Sequence, residues 1–523
     1  MTRDIQENGG DSGSASAQGA GEVSPAPAGV EAPQLGARRW WLLLIFCIAQ
    51  YLDIAGRASI VVFVNQISDQ LDIEYQQSTW ILNSYNITFG SFLLFFGRMS
   101  DLYTANVVFV GGFLTVGISS LIVSFMPNQY AYYVFRALYG VGAAATIPSA
   151  FRMILHTFKG PDLQKALGFF GLAGAVANAT GLTLGGCFGY IHKGGQMADW
   201  RWFFRFICFM TLPFAFIAWL MVPRTVGPFA STKRKWRHLD IIGCFLALAA
   251  LILLDLGLTF GASDGWKTAH FLVPFLIAWP VFVAFFLWEA RLPEGYAMLP
   301  PQTWRIRNLT LWIVLALSGF AWWGVIQVAM VERYESTFGE GIMISAVRLM
   351  PVGISACIIG IVVPNILKKI PNPRYLVTAA FVVSAASFLL LIFGEGNVHR
   401  EYWRWYFPAY IIGSAAAAIA YLGMNIFLMS SVRPQEAGVV GALFQTALQM
   451  GAAVALAAQA GLLTLNPGDV SDFANVQASF WFMFGWYLCN ALGMLFLYRA
   501  LPKVDKGIEA GKSAPVEQVD EEK

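Results

Sequence analysis

The sequence predicts an all-α polytopic membrane protein, with two six-helix bundles and two extra helices making fourteen transmembrane helices. Three observations predict it. Of the 523 residues 57% are hydrophobic and only 12% are charged, about half the charged share of a typical soluble domain. Fourteen apolar stretches reach the roughly 20 residues that a bilayer-crossing helix needs. The stretch Tyr133-Val-Phe-Arg-Ala-Leu-Tyr-Gly-Val-Gly-Ala-Ala-Ala-Thr-Ile-Pro-Ser-Ala150 sets Arg136 inside such a run. A mid-membrane arginine costs about 2.5–3.5 kcal/mol on insertion scales. Arg136 therefore belongs in a wet or charged interior, and Gly140 and Gly142 beyond it let a neighbouring helix approach closely.

In order, the stretches run 40–62, 78–97, 107–126, 130–155, 165–190, 202–222, 239–260, 271–290, 309–331, 343–363, 375–394, 405–429, 438–464 and 478–500. An even number puts both ends on one side of the membrane. Arg38, Arg39, Arg98, Lys159, Lys165, Lys233, Arg234, Lys235, Arg237, Arg305, Arg307, Lys368 and Lys369 fall on that side, and the opposite loops carry few basic residues. By the positive-inside rule both termini are expected in the cytoplasm. Loop spacing then divides the chain into a cytoplasmic tail (1–39), a first six-helix bundle (40–222), a basic linker (223–238), two extra helices (239–290), a loop (291–308), a second six-helix bundle (309–500) and a second tail (501–523). Two six-span halves around a pore are a common carrier plan. The three Asn-x-Ser/Thr sequons, at Asn86, Asn178 and Asn308, fall within spans or on the cytoplasmic side and are expected to stay unglycosylated.

Asp53 and Arg57, four apart on the first span, share a helix face. They make either a carboxylate that loads and releases one proton per cycle or a static ion pair that fixes helix packing. On the second span Asn83 and Asn86 line a solute path or join neighbouring helices, and Gly97 and Asp101 form a turn that clasps two spans. On the fifth, Gly181, Gly185 and Gly186 belong to a glycine series at three- and four-residue steps, the mark of close helix contact. Asp255 and Glu289, on the extra pair, are expected to snorkel toward the interfaces, with a role in transport as the alternative for Asp255. Trp322 and Trp323 are packing aromatics or part of a binding wall, and Gln327, with Asn425, Gln445 and Gln449, supplies uncharged polar groups for a cavity suited to small, weakly polar solutes. Arg348 needs a partner, and Glu332, Glu335 and Glu340 are near enough in the chain to latch it at the outer side.

Other functions are excluded by what is missing. A net charge of +3 does not suggest a nucleic-acid partner. The six cysteines fall singly in apolar runs, with no metal spacing, and no phosphate loop or nucleophile elbow occurs. No cofactor, metal or catalytic residue is expected. A secondary transporter remains, with a small-molecule substrate, protons and the lipid bilayer as partners, acting as a monomer. The alternatives are uptake or facilitated diffusion of a small solute or ion such as ammonium, and a membrane solute sensor that moves nothing.

Gly97-x-x-x-Asp101, Arg136-x-x-x-Gly140-x-Gly142 and Gly181-x-x-x-Gly185-Gly186, in that order, resemble the major facilitator superfamily. Fourteen spans, and the segment Glu436-Ala-Gly-Val-Val-Gly-Ala-Leu-Phe-Gln-Thr-Ala-Leu-Gln-Met-Gly451, are similar to its fungal fourteen-spanner drug:proton antiporters, above all the aminotriazole-resistance-like subgroup. The resemblance implies the major-facilitator fold and proton-driven export of a drug or secondary metabolite across the plasma membrane. It also implies a proton relay through Arg136 with Asp53, a cytoplasmic clasp at Asp101 and an antiporter motif at Gly181, Gly185 and Gly186. The chain departs from the family pattern at Thr104, Ala105 and Asn106 in the clasp and at Ala177 and Leu182 in the fifth span, and Arg57 beside Asp53 is an addition.

Overall fold

A computed structural model describes residues 38–499 apart from 159–160, 192–193, 223–239, 293–295, 298, 300, 368–369, 371, 395–400, 433–436 and 468. Residues 1–37 and 501–523 of the tails, the linker 223–238 and the Asp101 side chain lie outside the described residues.

Every regular element among the described residues is helical. The first half comprises α1 (Arg38–Val61), a short α2 (Val64–Leu71), α3 (Thr79–Leu102), α4 (Ala105–Val123), α5 (Gln129–Thr157), α6 (Pro161–Phe188) and α7 (Asp199–Met221). Then come α8 (Ile241–Asp264) and α9 (Ala269–Glu289). The second half comprises α10 (Leu309–Ala316), α11 (Ala321–Glu332), α12 (Ile342–Leu367), α13 (Pro373–Phe393), α14 (Phe407–Ser430), α15 (Ala437–Leu463) and α16 (Phe473–Leu497). Among the described residues, thirteen segments are long and apolar enough to cross a membrane. The helix at the place of the second predicted span, α3, is 24 residues long, and its Asn83, Asn86 and Arg98 lower its hydropathy.

The ninth span departs from the continuous helix that its apolar run predicts. It is broken between α10 and α11, at Leu317–Phe320. The side chains of α16 satisfy the opened backbone. Tyr487 Oη donates to the Ser318 carbonyl at 2.6 Å and accepts from Trp322 N at 3.1 Å, while Asn490 Nδ2 donates to Ser318 Oγ at 2.7 Å. Non-helical backbone at membrane depth is tolerated where protein buries it in this way.

Two seams join the halves. Along one, α6 lies on α12, so that a Cβ on Gly186 would stand 2.9 Å from Met343 Sδ and 3.1 Å from its Cα. Along the other, α3 lies on α15, with Ala442 Cβ 3.3 Å from a Cβ built on Gly97 and Gln449 Cβ equally close to one on Gly90. The added hairpin covers this second seam. Its α8 packs against both α3 and α15, where Cys244, Ala247 and Leu251 join Leu94, Ala442 and Met450 in one buried apolar cluster. The face of α9 is largely open, as a lipid-facing helix requires. Glu289 does not snorkel: it is 1% exposed and accepts from Leu299 N at 3.0 Å, because the chain after α9 folds back over it.

Candidate functional site

Three charged residues of the first half, Asp53, Arg57 and Arg136, meet around one phenol. Tyr85, fully buried on α3, donates its hydroxyl to Asp53 Oδ1 on α1 at 2.7 Å. The ring of the same Tyr85 lies 5.0 Å from the guanidinium of Arg136 on α5, with the rings of Tyr139 at 4.9 Å and Phe204 at 5.5 Å completing an aromatic collar. Cation–π contacts are worth about 0.5–1 kcal/mol each where exposed and more where dry. Three of them offset a large part of the roughly 2.5–3.5 kcal/mol that the arginine costs at this depth.

Both charges keep unused bonding capacity. Asp53 is 3% exposed and its Oδ2 has no hydrogen-bond partner; Arg136 is 1% exposed and its Nε and Nη1 have none. No ion pair within 4.0 Å joins Asp53 to Arg57 or to Arg136. The i,i+4 spacing of Asp53 and Arg57 therefore does not produce the static pair that helix geometry allows. Arg57 turns to the other half instead, where its Nη1 donates to Gln449 Oε1 on α15 at 3.1 Å, and its guanidinium lies 5.5 Å from the Phe89 ring and 5.9 Å from that of Tyr85.

Backbone contact makes this meeting of α1, α3 and α5 possible. A Cβ on Gly140 would fall onto Thr88 Oγ1 and within 2.6 Å of the Tyr85 carbonyl, and Thr88 Oγ1 donates to the Ala137 carbonyl at 2.8 Å. Gly142 faces the Gly112 carbonyl, 2.8 Å from where its Cβ would be, which brings α4 in on the far side of α5. Gly181 and Gly185 seat α6 on α1, with Ser59 Oγ donating to the Gly181 carbonyl at 2.6 Å. Gly186, on another face of α6, meets the second half.

The remaining candidates scatter. Asn83 faces outward from the centre and donates to Thr259 Oγ1 on α8 at 3.2 Å, so it joins helices. Half-buried Asn86 makes no hydrogen bond among the described residues. Trp323, 8% exposed, donates its indole N–H to Ser414 Oγ at 3.0 Å. Gln327 Nε2 donates to Asn178 Oδ1 on α6 at 2.9 Å, a second polar link between the halves. Asn425 and Gln445 converge on the Tyr421 hydroxyl. Arg348 is held by both oxygens of Glu340, with its Nε donating at 2.6 Å, and both belong to the second half. Polar links across the halves at that end are different ones, from Asn65 Nδ2 to Glu335 Oε2 at 3.2 Å and from Gln66 to the same carboxyl. Beside them lies a cavity of about 230 Å³ lined by Asn65, Gln66, Glu335, Glu340 and Ile342.

Tyr85 and Tyr139 were not among the sequence candidates. A phenol in a span signals packing as readily as chemistry, but Tyr139 stands three residues after Arg136 on the same helical face, and that spacing was visible.

Comparisons with known proteins agree with this architecture. The multidrug transporter mfsC of Aspergillus fumigatus is 25% identical over 456 residues, covering 86% of this chain and 85% of its own. The aminotriazole resistance protein of Saccharomyces cerevisiae is 23% identical over 429 residues, covering 80% of this chain and 76% of its own. The crystal structure of a D-xylose–proton symporter superposes with a TM-score of 0.60 over 88% of this chain and 98% of that one, at 12% identity, and so shares its fold. The model of one family, the Major Facilitator Superfamily, matches residues 46–456, and the chain belongs to that family.

Proposed function

We propose that this protein is a proton-coupled exporter of a small organic compound, working by alternating access in the plasma membrane with both termini in the cytoplasm. Its relatives' names, a multidrug transporter and an aminotriazole resistance protein, support efflux as the direction. The observation that carries the coupling is the Asp53–Tyr85–Arg136 arrangement, with an unpartnered carboxylate oxygen and unpartnered guanidinium N–H groups on the two sides of one phenol.

Those groups allow two states. With a proton on Asp53, the carboxyl is neutral and Tyr85 alone suffices as partner. Without it, the carboxylate's free oxygen draws the guanidinium of Arg136, since an isolated charge is costly in a dry interior. Asp53 and Arg57 lie one turn apart on α1, so a shift at Asp53 reaches the Arg57–Gln449 bond that ties the two halves. Proton loading thereby biases which end of the carrier opens, as a ligand biases any equilibrium for which it has differential affinity. Gly97 and Ala442 mark the seam that parts at one end; Asn65–Glu335 marks the opposite end, where the Arg348–Glu340 pair keeps its side of the latch rigid.

Full-length protein in lipid vesicles with an imposed pH gradient of either sign tests this, using aminotriazole and a panel of small organic drugs. Export is expected when protons can flow the opposite way. Flux that runs with the proton flow, or ignores the gradient, overturns the antiport reading.

A further inference from the structure

The hairpin α8–α9 carries a carboxyl that the coupling arrangement above does not use. Asp255 is 3% exposed, and its Oδ1 is fully enclosed with no hydrogen-bond partner. It takes part in no hydrogen bond or ion pair among the described residues. Its position on α8 is specific. One turn earlier, Leu251 packs into the apolar cluster with Leu94 of α3 and Met450 of α15; one turn later, Thr259 accepts from Asn83 of α3. Asp255 therefore sits on the face of α8 that closes the seam between the two halves.

Among the described residues no charged group faces it from a packed element, and the short helical turn Tyr75–Ser78, which also packs on α8, carries none. On α8 itself, Asp240 is engaged with Gly243 N and Trp288 at one end, and Asp264 with His270 at the other. On α9, His270 and Glu289 occupy those same two ends. On α3, Arg98 and Asp101 lie at the end away from Asn83, and Tyr85 faces Asp53. The helix α15 has no ionisable residue at all. A carboxylate so placed, with neither cation nor donor, is driven to neutrality by the cost of an unsolvated charge.

We propose that Asp255 is a second proton-binding site of the carrier, occupied while α8, α3 and α15 are closed on one another and emptied when the seam parts and water enters. The step balances simply: the carboxyl O–H bond breaks and the proton leaves on an entering water as hydronium; when the seam closes the bond re-forms with a proton from hydronium, which is left as water. The hairpin then adds a proton to the cycle at the place where it touches both halves. Its part in the cycle rests on the transport reading above; its protonation does not.

Infrared spectroscopy of the full-length protein in lipid vesicles at neutral pH reads the protonation without any substrate. The carboxylic-acid stretching band is expected to lose a component in Asp255→Asn and to regain a shifted one in Asp255→Glu, with Asp53→Asn retaining the Asp255 component. A band unchanged by Asp255→Asn overturns the proposal. The second readout is transport. Asp255→Asn is expected to lower gradient-driven flux about tenfold while gradient-free exchange stays within about twofold; gradient-driven flux equal to the wild type removes Asp255 from the cycle even if the band is lost.

Discussion

Tyr85 donates to Asp53 at 2.7 Å, and this hydrogen bond ties α3 to α1 at the point where Arg136 of α5 rests on the same phenol ring. One residue thus touches two buried charges, Asp53 and Arg136, which do not touch each other.

Tyr85→Phe isolates the hydroxyl from the ring. It leaves the collar around Arg136 and deprives Asp53 of its donor, a loss of about 1–3 kcal/mol for a charged buried acceptor. Gradient-driven flux is expected to fall about tenfold with expression and membrane insertion unchanged. Tyr85→Ala, which also removes the ring, is expected to lower the yield of folded protein as well.

The bond between Arg57 and Gln449 spans the two halves, and hydrogen bonds to charged groups are worth about 1.5–3 kcal/mol. Arg57→Ala and Gln449→Ala should each raise the labelling rate of Ala442→Cys, which faces Gly97 in the seam, by about tenfold. The double variant should add little to either single one, since both remove the same contact. Additive effects would mean that the two side chains act separately.

Glycine positions separate contact from mere flexibility. Gly140→Ala forces a methyl onto Thr88 and the Tyr85 carbonyl and is expected to destabilise the protein by about 1–3 kcal/mol through overpacking. Gly168, on α6 with nothing within 4 Å, is the control. Gly168→Ala should be neutral or stabilising by up to about 1 kcal/mol, the helix propensity gained. Thermal unfolding in detergent compares the two.

At the opposite end, Glu335→Gln keeps a partner for Asn65 but removes the charge, whereas Asn65→Leu removes one link between the halves. Asn65→Leu is expected to increase solvent access to Ile342 in the adjoining cavity, read as faster labelling of Ile342→Cys, and Glu335→Gln to change it by less than about twofold.

The sequence discloses the fold through quantities that are local. Apolar run length counts the passes, and Arg136 stands out because a charge in an apolar run is costly wherever it points. The site is only half legible. Spacing places Asp53 beside Arg57, but a long arginine side chain has several directions open to it, and Gln449, 392 residues away, decides which one is taken. Asn83 is indistinguishable from a pore-lining residue until α8 is seen against it. Glu289 at a helix end suggests snorkelling, and only the returning chain, through Leu299 N, shows why it is buried. The break at Ser318 is hidden for the same reason, since its apolar run continues and the groups that support it come from α16.

The most direct measurement is the proton dependence of Asp53→Asn in sealed vesicles, with substrate efflux and internal pH followed together. The coupling account predicts that substrate still equilibrates across the membrane but no longer moves against its gradient, and that the proton counterflow accompanying it is diminished. Uphill movement with undiminished proton counterflow in Asp53→Asn would contradict the account.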